Sequence, residues 1–275
     1  MNADIAHSAK RSERMVAILA ALADRGQLQL SELAEIFDAS AATIRRDVTQ
    51  LADQGLLVRT HGAVRSLGHS AELPVSLRDG RNRDSKQAIA RCVASLLPAG
   101  RHAIALTGGT TTTEVLRALH PREDLTIITN SVGLALEAAG QGRSRVLIAG
   151  GVLRPNSLEL VGGLAEATFR QINVGTAIVG SDGVSVSGGL TTHDEVEAHT
   201  NHTMIVRAQR VIAVADGSKV GRILLARLAG LDEIDVLVTD SRADAAEIRL
   251  IREQGIEVHQ VEASDAGGTR PPRGR

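Results

Sequence analysis

Hydrophobic positions change rhythm once along this chain. In "RSERMVAILAALADRG", Met15, Ile18, Leu19 and Leu22 share one helical face, and Gly26 stops the helix. "LSELAEIFD" predicts a second helix capped by Ser31, with Leu33, Ile36 and Phe37 inward. "AS" reads as a short turn. Ser40 then caps a third helix in which Ile44, Val48 and Leu51 repeat at i, i+4, i+7, and Gly55 ends it. "LLVRTHGAVRS" gives two short extended runs around His61–Gly62, a hairpin signal. The polar stretch over residues 67–84 predicts a linker, in which Leu73, Val75 and Leu77 are able to bury against a neighbour.

From Ser85 onward short apolar runs alternate with helical segments. The runs "AIALT", "TIITN", "RVLIAGG", "TAIVGSDG", "VIAVAD", "DVLVTD" and "EVHQV" are near-continuously apolar, as strands covered on both faces of a parallel sheet are. Between and after them, "TTTEVLRAL", "SVGLALEAAG", "GLAEATFRQI", "EVEAHTNHTMIVRA", "KVGRILLARLA" and "ADAAEIRLIREQG" predict helices. This βα alternation predicts an α/β fold with an open sheet over residues 85–262. Cys92 shares a helical face with Ile89, Val93, Leu96 and Leu97 and reads as core. The tail at 263–275 has almost no apolar content and is expected to be disordered.

Composition narrows the function classes. The 275 residues accommodate one small and one medium domain, and 43% hydrophobic residues support two cores. A formal net charge of −1 means that any nucleic-acid contact comes from a local patch. Phe37 and Phe169 are the only aromatic residues besides histidine, which argues against recognition by base stacking. The single cysteine excludes an intrachain disulfide. No run of about 18 apolar residues occurs, so a soluble cytoplasmic protein without membrane contact is expected.

The segment over residues 8–66 has the order of a helix-turn-helix, whose second helix enters the DNA major groove by its N-terminal residues. With Ile44, Val48 and Leu51 inward, Ser40, Ala42, Thr43, Arg45 and Arg46 crowd the first turns of the third helix. Alanine or a threonine methyl meets a thymine methyl, and arginine bonds guanine in two places or clamps a phosphate. The helix macrodipole opposes arginine near an N-terminus, so an external anion explains the pair better than helix stability does. Arg59, His61 and Arg65 on the hairpin add phosphate contacts from a wing. The bland alternative is a solvated face: residues 1–66 hold eight basic and eight acidic side chains. "LSELAEIFDASAATIRRDVTQLADQGLLVRTHGAV" resembles the winged helix-turn-helix of the DeoR family of bacterial transcriptional regulators. The resemblance implies that Thr43, Arg45 and Arg46 read or grip DNA. Ala63 departs from it, since "HGAV" stands where a second glycine is usual.

In the second domain, "LTGGTTTTEVL" follows a buried strand and opens a helix. Gly108 and Gly109 allow close backbone approach, and Thr110, Thr111 and Thr112 supply hydroxyls. The helix N-terminus supplies free N–H groups, a combination suited to phosphate or carboxylate. Other strand ends carry Asn130, Ser131, Gly150, Gly151, Asp182 and Lys219. Each alone is ordinary turn chemistry. Together, at carboxyl ends of strands, they favour a site. Asp182 and Glu195 suit sugar hydroxyls, and Lys219 suits an anion. Over residues 85–261 this half resembles the DeoR effector domain, on "GGTTTT", "TNS", "GG.LR", "GSDGV", "GGLTT" and "ADGSK". That resemblance implies a fold like ribose-5-phosphate isomerase and a phosphorylated sugar as effector. Thr107 departs from it, standing where the family commonly has aspartate.

These observations lead to a regulator, in first place a repressor of carbohydrate genes. Its expected partners are double-stranded operator DNA, a small phosphorylated sugar and copies of itself, with no cofactor. Two alternatives remain open from residues alone. One is a phosphosugar isomerase with an accessory DNA-binding domain, using Glu195 and Lys219. The other is a DNA-binding module whose second domain only oligomerises. "HDEVEAHTNH" is His-rich, yet its spacing is not that of a metal site, and no metal is expected.

Overall fold

The computed structural model describes residues 2–60, 62–66, 72–79, 82–141 and 144–262, with backbone alone for 2–10, 23, 24 and 141. His61, parts of the expected linker and the expected disordered tail at 263–275 lie outside the described residues. The chain divides into two units, Met1–Arg81 and Asn82–Arg275.

The first unit holds α1 (Asn2–Arg25), β1 (Gln27–Gln29), α2 (Leu30–Ile36), α3 (Ala41–Asp53), β2 (Leu57–Arg59), β3 (Ala63–Ser66) and α4 (Val75–Arg78). Its core is the set that helical spacing marked: Met15, Ile18, Leu22, Leu33, Ile44, Val48 and Leu51 are buried together. Ser31 is not the cap of α2. Gln29 is, and Glu32 reaches back to its N–H at 2.6 Å, because α2 starts two residues earlier, directly on leaving β1. The hairpin β2–β3 gains β1 as a third strand, with Gln29 opposite Ala63. Ala63 is buried there, so the methyl group in place of a glycine is accommodated. Within the expected linker, α4 buries Leu77 in the same core.

The second unit continues with α5 (Arg83–Leu96), β4 (His102–Leu106), α6 (Thr110–Ala118), β5 (Leu125–Thr129), α7 (Val132–Gln141) and β6 (Arg145–Ile148). A hairpin of β7 (Val152–Arg154) and β8 (Glu159–Val161) leads to α8 (Gly163–Arg170) and β9 (Val174–Gly180). Then come β10 (Gly183–Ser185), β11 (Gly189–Thr192), α9 (Glu195–Ile205), β12 (Ala208–Val214), β13 (Ala226–Ala229), β14 (Val236–Asp240), α10 (Ala245–Glu253) and β15 (Glu257–Val261). Seven parallel strands form one sheet in the order β15-β14-β12-β9-β4-β5-β6. All seven apolar runs are strands of it.

Alternate residues of the central strands feed two cores. Ala105, Ala177, Ala213 and Leu237 lie with Phe169, Ala198 and Ile248 of α8, α9 and α10 on one face. Ile104, Ile178, Ile212 and Val236 lie with Ile89, Leu116 and Leu134 of α5, α6 and α7 on the other. This is why the runs read as continuously apolar. Cys92 packs half-buried against the second core.

"KVGRILLARLA" does not form the predicted helix. Gly217–Lys219 is a single 3-10 turn, Gly221 has φ +83°, and Ala226–Ala229 becomes β13 against β11. Burial of Ala226, Leu228 and Ala229 in the first core outweighs the helical spacing. The small sheet β10-β11-β13 and the hairpin β7–β8 were not predicted.

Candidate nucleic-acid interface and ligand crevice

In the first unit, Ser40 caps α3: its Oγ accepts the Thr43 N–H at 3.1 Å and lies 2.9 Å from the Thr43 hydroxyl. Ala42, Arg45 and Arg46 are exposed and Thr43 is half-buried. Among the described residues neither Arg45 nor Arg46 has an ion pair or side-chain hydrogen bond. The next residue does the opposite. Asp47 is 1% exposed and accepts from Arg11 at 3.1 Å and Arg14 at 2.6 Å, which fastens α3 to α1. Its signal was in the sequence, since Asp47 falls on the stripe of Ile44, Val48 and Leu51. Arg59 donates to the Thr49 hydroxyl at 3.0 Å, tying the wing to α3, and Arg65 is exposed on β3.

The large sheet reverses its order beside β4. The chain adds β5 and β6 on one side, then returns to add β9, β12, β14 and β15 on the other. The crevice beyond the carboxyl ends of β4 and β9 is therefore the topological switch point, where open α/β sheets bind ligands. Thr107 spans it: its hydroxyl accepts the Gly180 N–H at 3.0 Å. Gly109, at φ +133°, precedes the first turn of α6. Thr112 and Thr113 turn their hydroxyls back to the Gly109 carbonyl, at 2.9 and 2.7 Å. The half-buried Thr110 and Thr111 carry no side-chain hydrogen bond among the described residues.

Gly108 serves a purpose that the sequence did not reveal. Its N–H donates to Glu159 Oε1 at 2.6 Å, and a Cβ at Gly108 would lie 2.5 Å from Glu159 Cγ. The missing side chain at Gly108 makes room for the Glu159 carboxyl. Asn201 donates to the same oxygen at 3.3 Å, and Asn130 donates to Asn201 at 3.0 Å, leaving the buried Asn130 Oδ1 without a partner among the described residues. Burial first, and the charge of Glu197 second, push Glu159 up to about 8. Glu197 accepts from Arg154 and from the Thr192 hydroxyl, both at 2.8 Å, and Arg154 also pairs with Asp194 at 3.2 Å. Glu159, Glu197, Asn201 and Arg154 were not among the candidate residues.

The remaining candidates divide. Lys219 and Asp182 meet across the ends of β12 and β9 at 3.0 Å. Ser131 is buried, and its hydroxyl accepts the Leu134 N–H at 3.4 Å. Gly150 is exposed, while Gly151 lies against the Val161 backbone of β8. Glu195 is exposed on the first turn of α9, and the acid of that helix that turns inward is Glu197. His202 bonds Glu233 at 2.6 Å. No described helix is long and apolar enough to cross a membrane.

Residues 14–69 match the family described as the DeoR-like helix-turn-helix domain, and residues 81–241 match the DeoR C terminal sensor domain. The chain is 34% identical over 250 residues to the HTH-type transcriptional regulator GlpR of Haloferax volcanii, covering 90% of this chain and 96% of that one. It is 28% identical over 249 residues to the glycerol-3-phosphate regulon repressor of Escherichia coli, covering 90% and 98%. Among solved structures, ribose 5-phosphate isomerase A of Methanocaldococcus jannaschii aligns with 50% of this chain and 55% of its own, at 18% identity and a TM-score of 0.39.

Proposed function

From the premise that this chain belongs to the DeoR family of transcriptional regulators, we propose that it represses carbohydrate genes and is released from its operator by a phosphorylated sugar or a related metabolite. The similar chains are named as transcriptional regulators and repressors rather than enzymes, so the isomerase reading is set aside. Arg45 and Arg46, exposed beside the capped end of α3, enter the major groove or hold its flanking phosphates. Arg59 and Arg65 hold phosphates from the wing, and His61 does so by the sequence reading.

The observation that carries the effector half is the mouth of α6 at the switch point. Two threonine hydroxyls that have no hydrogen bond among the described residues and the leading N–H groups of a nine-residue helix lie together there, a combination suited to an anion. Gly109, Thr110 and Thr111 receive the phosphate. Lys219 assists, and Asp182, Asn130 and Ser131 take hydroxyls from neighbouring strand ends. Glu159 beside this cradle fits an anionic ligand because its carboxyl holds a proton at neutral pH and so does not repel it. Exposed Val152, Leu153 and Leu158 on the hairpin and Leu164 on α8 support self-association of this unit. A symmetric dimer would read half-sites about 34–36 Å apart or a multiple of that.

A thermal-shift screen of sugar monophosphates, followed by operator titration with the compound that binds, tests the reading. The effector is expected to raise the melting temperature and to weaken DNA binding, by roughly 5- to 150-fold. If no phosphorylated metabolite moves either quantity, the crevice is not an inducer site.

A further inference from the structure

The turn that carries Lys219 is bound to the first residue of its own unit. Asn82 stands where the chain arrives from the DNA-binding unit, in the left-handed region at φ 53°, ψ 35°, directly before α5. An asparagine there ordinarily accepts an N–H of the first helical turn. Asn82 makes no such cap. Its Nδ2 donates to Asp216 Oδ1 at 3.0 Å, and its Oδ1 accepts from Arg242 at 3.3 Å.

Both partners belong to the Lys219 turn or lie against it. Asp216 caps that turn, and the same Oδ1 that takes the Asn82 amide accepts the Ser218 N–H at 3.1 Å and the Ser218 hydroxyl at 2.5 Å. Arg242 is held by Asp240 at 3.0 Å, and Asp240 accepts the Gly217 N–H at 2.9 Å. A Cβ at Gly217 would lie 2.4 Å from the Ala243 N, so the turn has no slack against this segment. One end of the turn thus holds Lys219 on Asp182, and the other shares its hydrogen bonds with Asn82.

We infer that Asn82 is a positioning residue through which the state of the Lys219 turn is passed to the chain leading to the DNA-binding unit; this rests on the effector reading above. A ligand anion that draws Lys219 from Asp182 shifts the 3-10 turn, and Asp216 then shifts against Asn82. The turn is too short and too closely packed to absorb the displacement internally. The bond spans 134 residues and joins the crevice to the exit of the unit without an intervening helix.

Asn82→Gly tests this, because glycine keeps the left-handed backbone and removes only the amide. In effector-free protein, hydrogen exchange at the Ser218 and Lys219 amides is expected to quicken at least threefold. For the sugar monophosphate that binds wild type, the dissociation constant is expected to stay within twofold, as is operator affinity without it. The effector's weakening of operator binding is expected to fall below threefold. Arg242→Met, which breaks the other half of the contact, is expected to act in the same direction. Unchanged exchange at Ser218 and Lys219, or full coupling in Asn82→Gly, overturns the inference. So does loss of effector binding along with coupling, because Asn82 would then belong to the binding site itself. Failure of every monophosphate to bind wild type removes the effector reading instead, and the exchange measurement still decides the contact.

Discussion

The recognition helix and the ligand crevice use charge in opposite ways. On α3 the two arginines that face outward have no ion pair or side-chain hydrogen bond among the described residues, while the acid that faces inward, Asp47, is bound twice over. In the crevice the cations are already engaged: Lys219 on Asp182, Arg154 on Glu197 and Asp194, Arg242 on Asp240. Under the proposed groove reading, DNA offers a fixed row of phosphates, for which arginines on a rigid helix suffice. Under the proposed effector reading, a small ligand has to be told apart from similar ones and has to change the protein, which suits a site built of contacts that it can exchange.

The largest expected effect tests the committed side of α3. Asp47→Ala removes the shared acceptor of Arg11 and Arg14, both of which still reach water, and should destabilise the first unit by about 2–3 kcal/mol. Thermal unfolding of that unit measures it, and a loss below 1 kcal/mol would show that Asp47 is dispensable to the fold.

In the crevice, Gly108→Ala forces a methyl group onto Glu159 and should cost about 1–3 kcal/mol in the second unit. Pairing it with Glu159→Ala should restore most of that loss, and additive costs would mean that the two residues do not share the space. Glu159 also sets a pH dependence. Its carboxyl is raised to about 8 in the fold, against about 4.3 in an unfolded chain, so the folded state binds the extra proton between those values. Stability is therefore complete below about pH 4.3 in this respect and falls as pH rises towards 8. Glu197 is the charge that helps to raise it, and Arg154, opposite Glu159 in the hairpin, pairs with Glu197 and Asp194. Denaturant midpoints at pH 6 and pH 8.5 should differ less in Glu159→Gln than in wild type. An equal difference in both places the titration elsewhere.

On the uncommitted side, Arg45→Ala or Arg46→Ala should leave the melting temperature unchanged and cost about 1–3 kcal/mol in operator binding. A base-reading arginine relaxes one operator position, whereas a phosphate contact weakens all sequences alike and flattens the salt dependence. Retention of full affinity in both variants would falsify the groove assignment. The smallest effect is that of Thr110→Val, which removes one hydroxyl and keeps the shape. It should raise the effector's dissociation constant about fivefold, equivalent to roughly 1 kcal/mol, without altering operator affinity in its absence.

Much of the molecule follows from local patterns. Helical spacing alone places Ile44, Val48 and Leu51 inward and thereby Arg45 and Arg46 outward, because the period of a helix fixes which neighbours share a face. The runs of the central strands are legible because a sheet covered on both sides needs apolar residues at successive positions, whereas β15 at the edge leaves Glu257 and Gln260 exposed. Tertiary structure decided the rest. In "SLELVGG", alternation separates Leu158 and Leu160 from Glu159 but does not say which set faces in, and the fold turns Glu159 inward and leaves Leu158 40% exposed. The helical spacing of "KVGRILLARLA" loses to β11, which takes Ala226–Ala229 as its neighbour. The partners of the crevice's carboxyl groups, such as Glu159 with Gly108 and Asp216 with Asn82, lie 51 and 134 residues apart. Periodicity acts over one or two turns of chain, whereas a buried polar group takes whichever partner the completed fold brings within hydrogen-bonding distance.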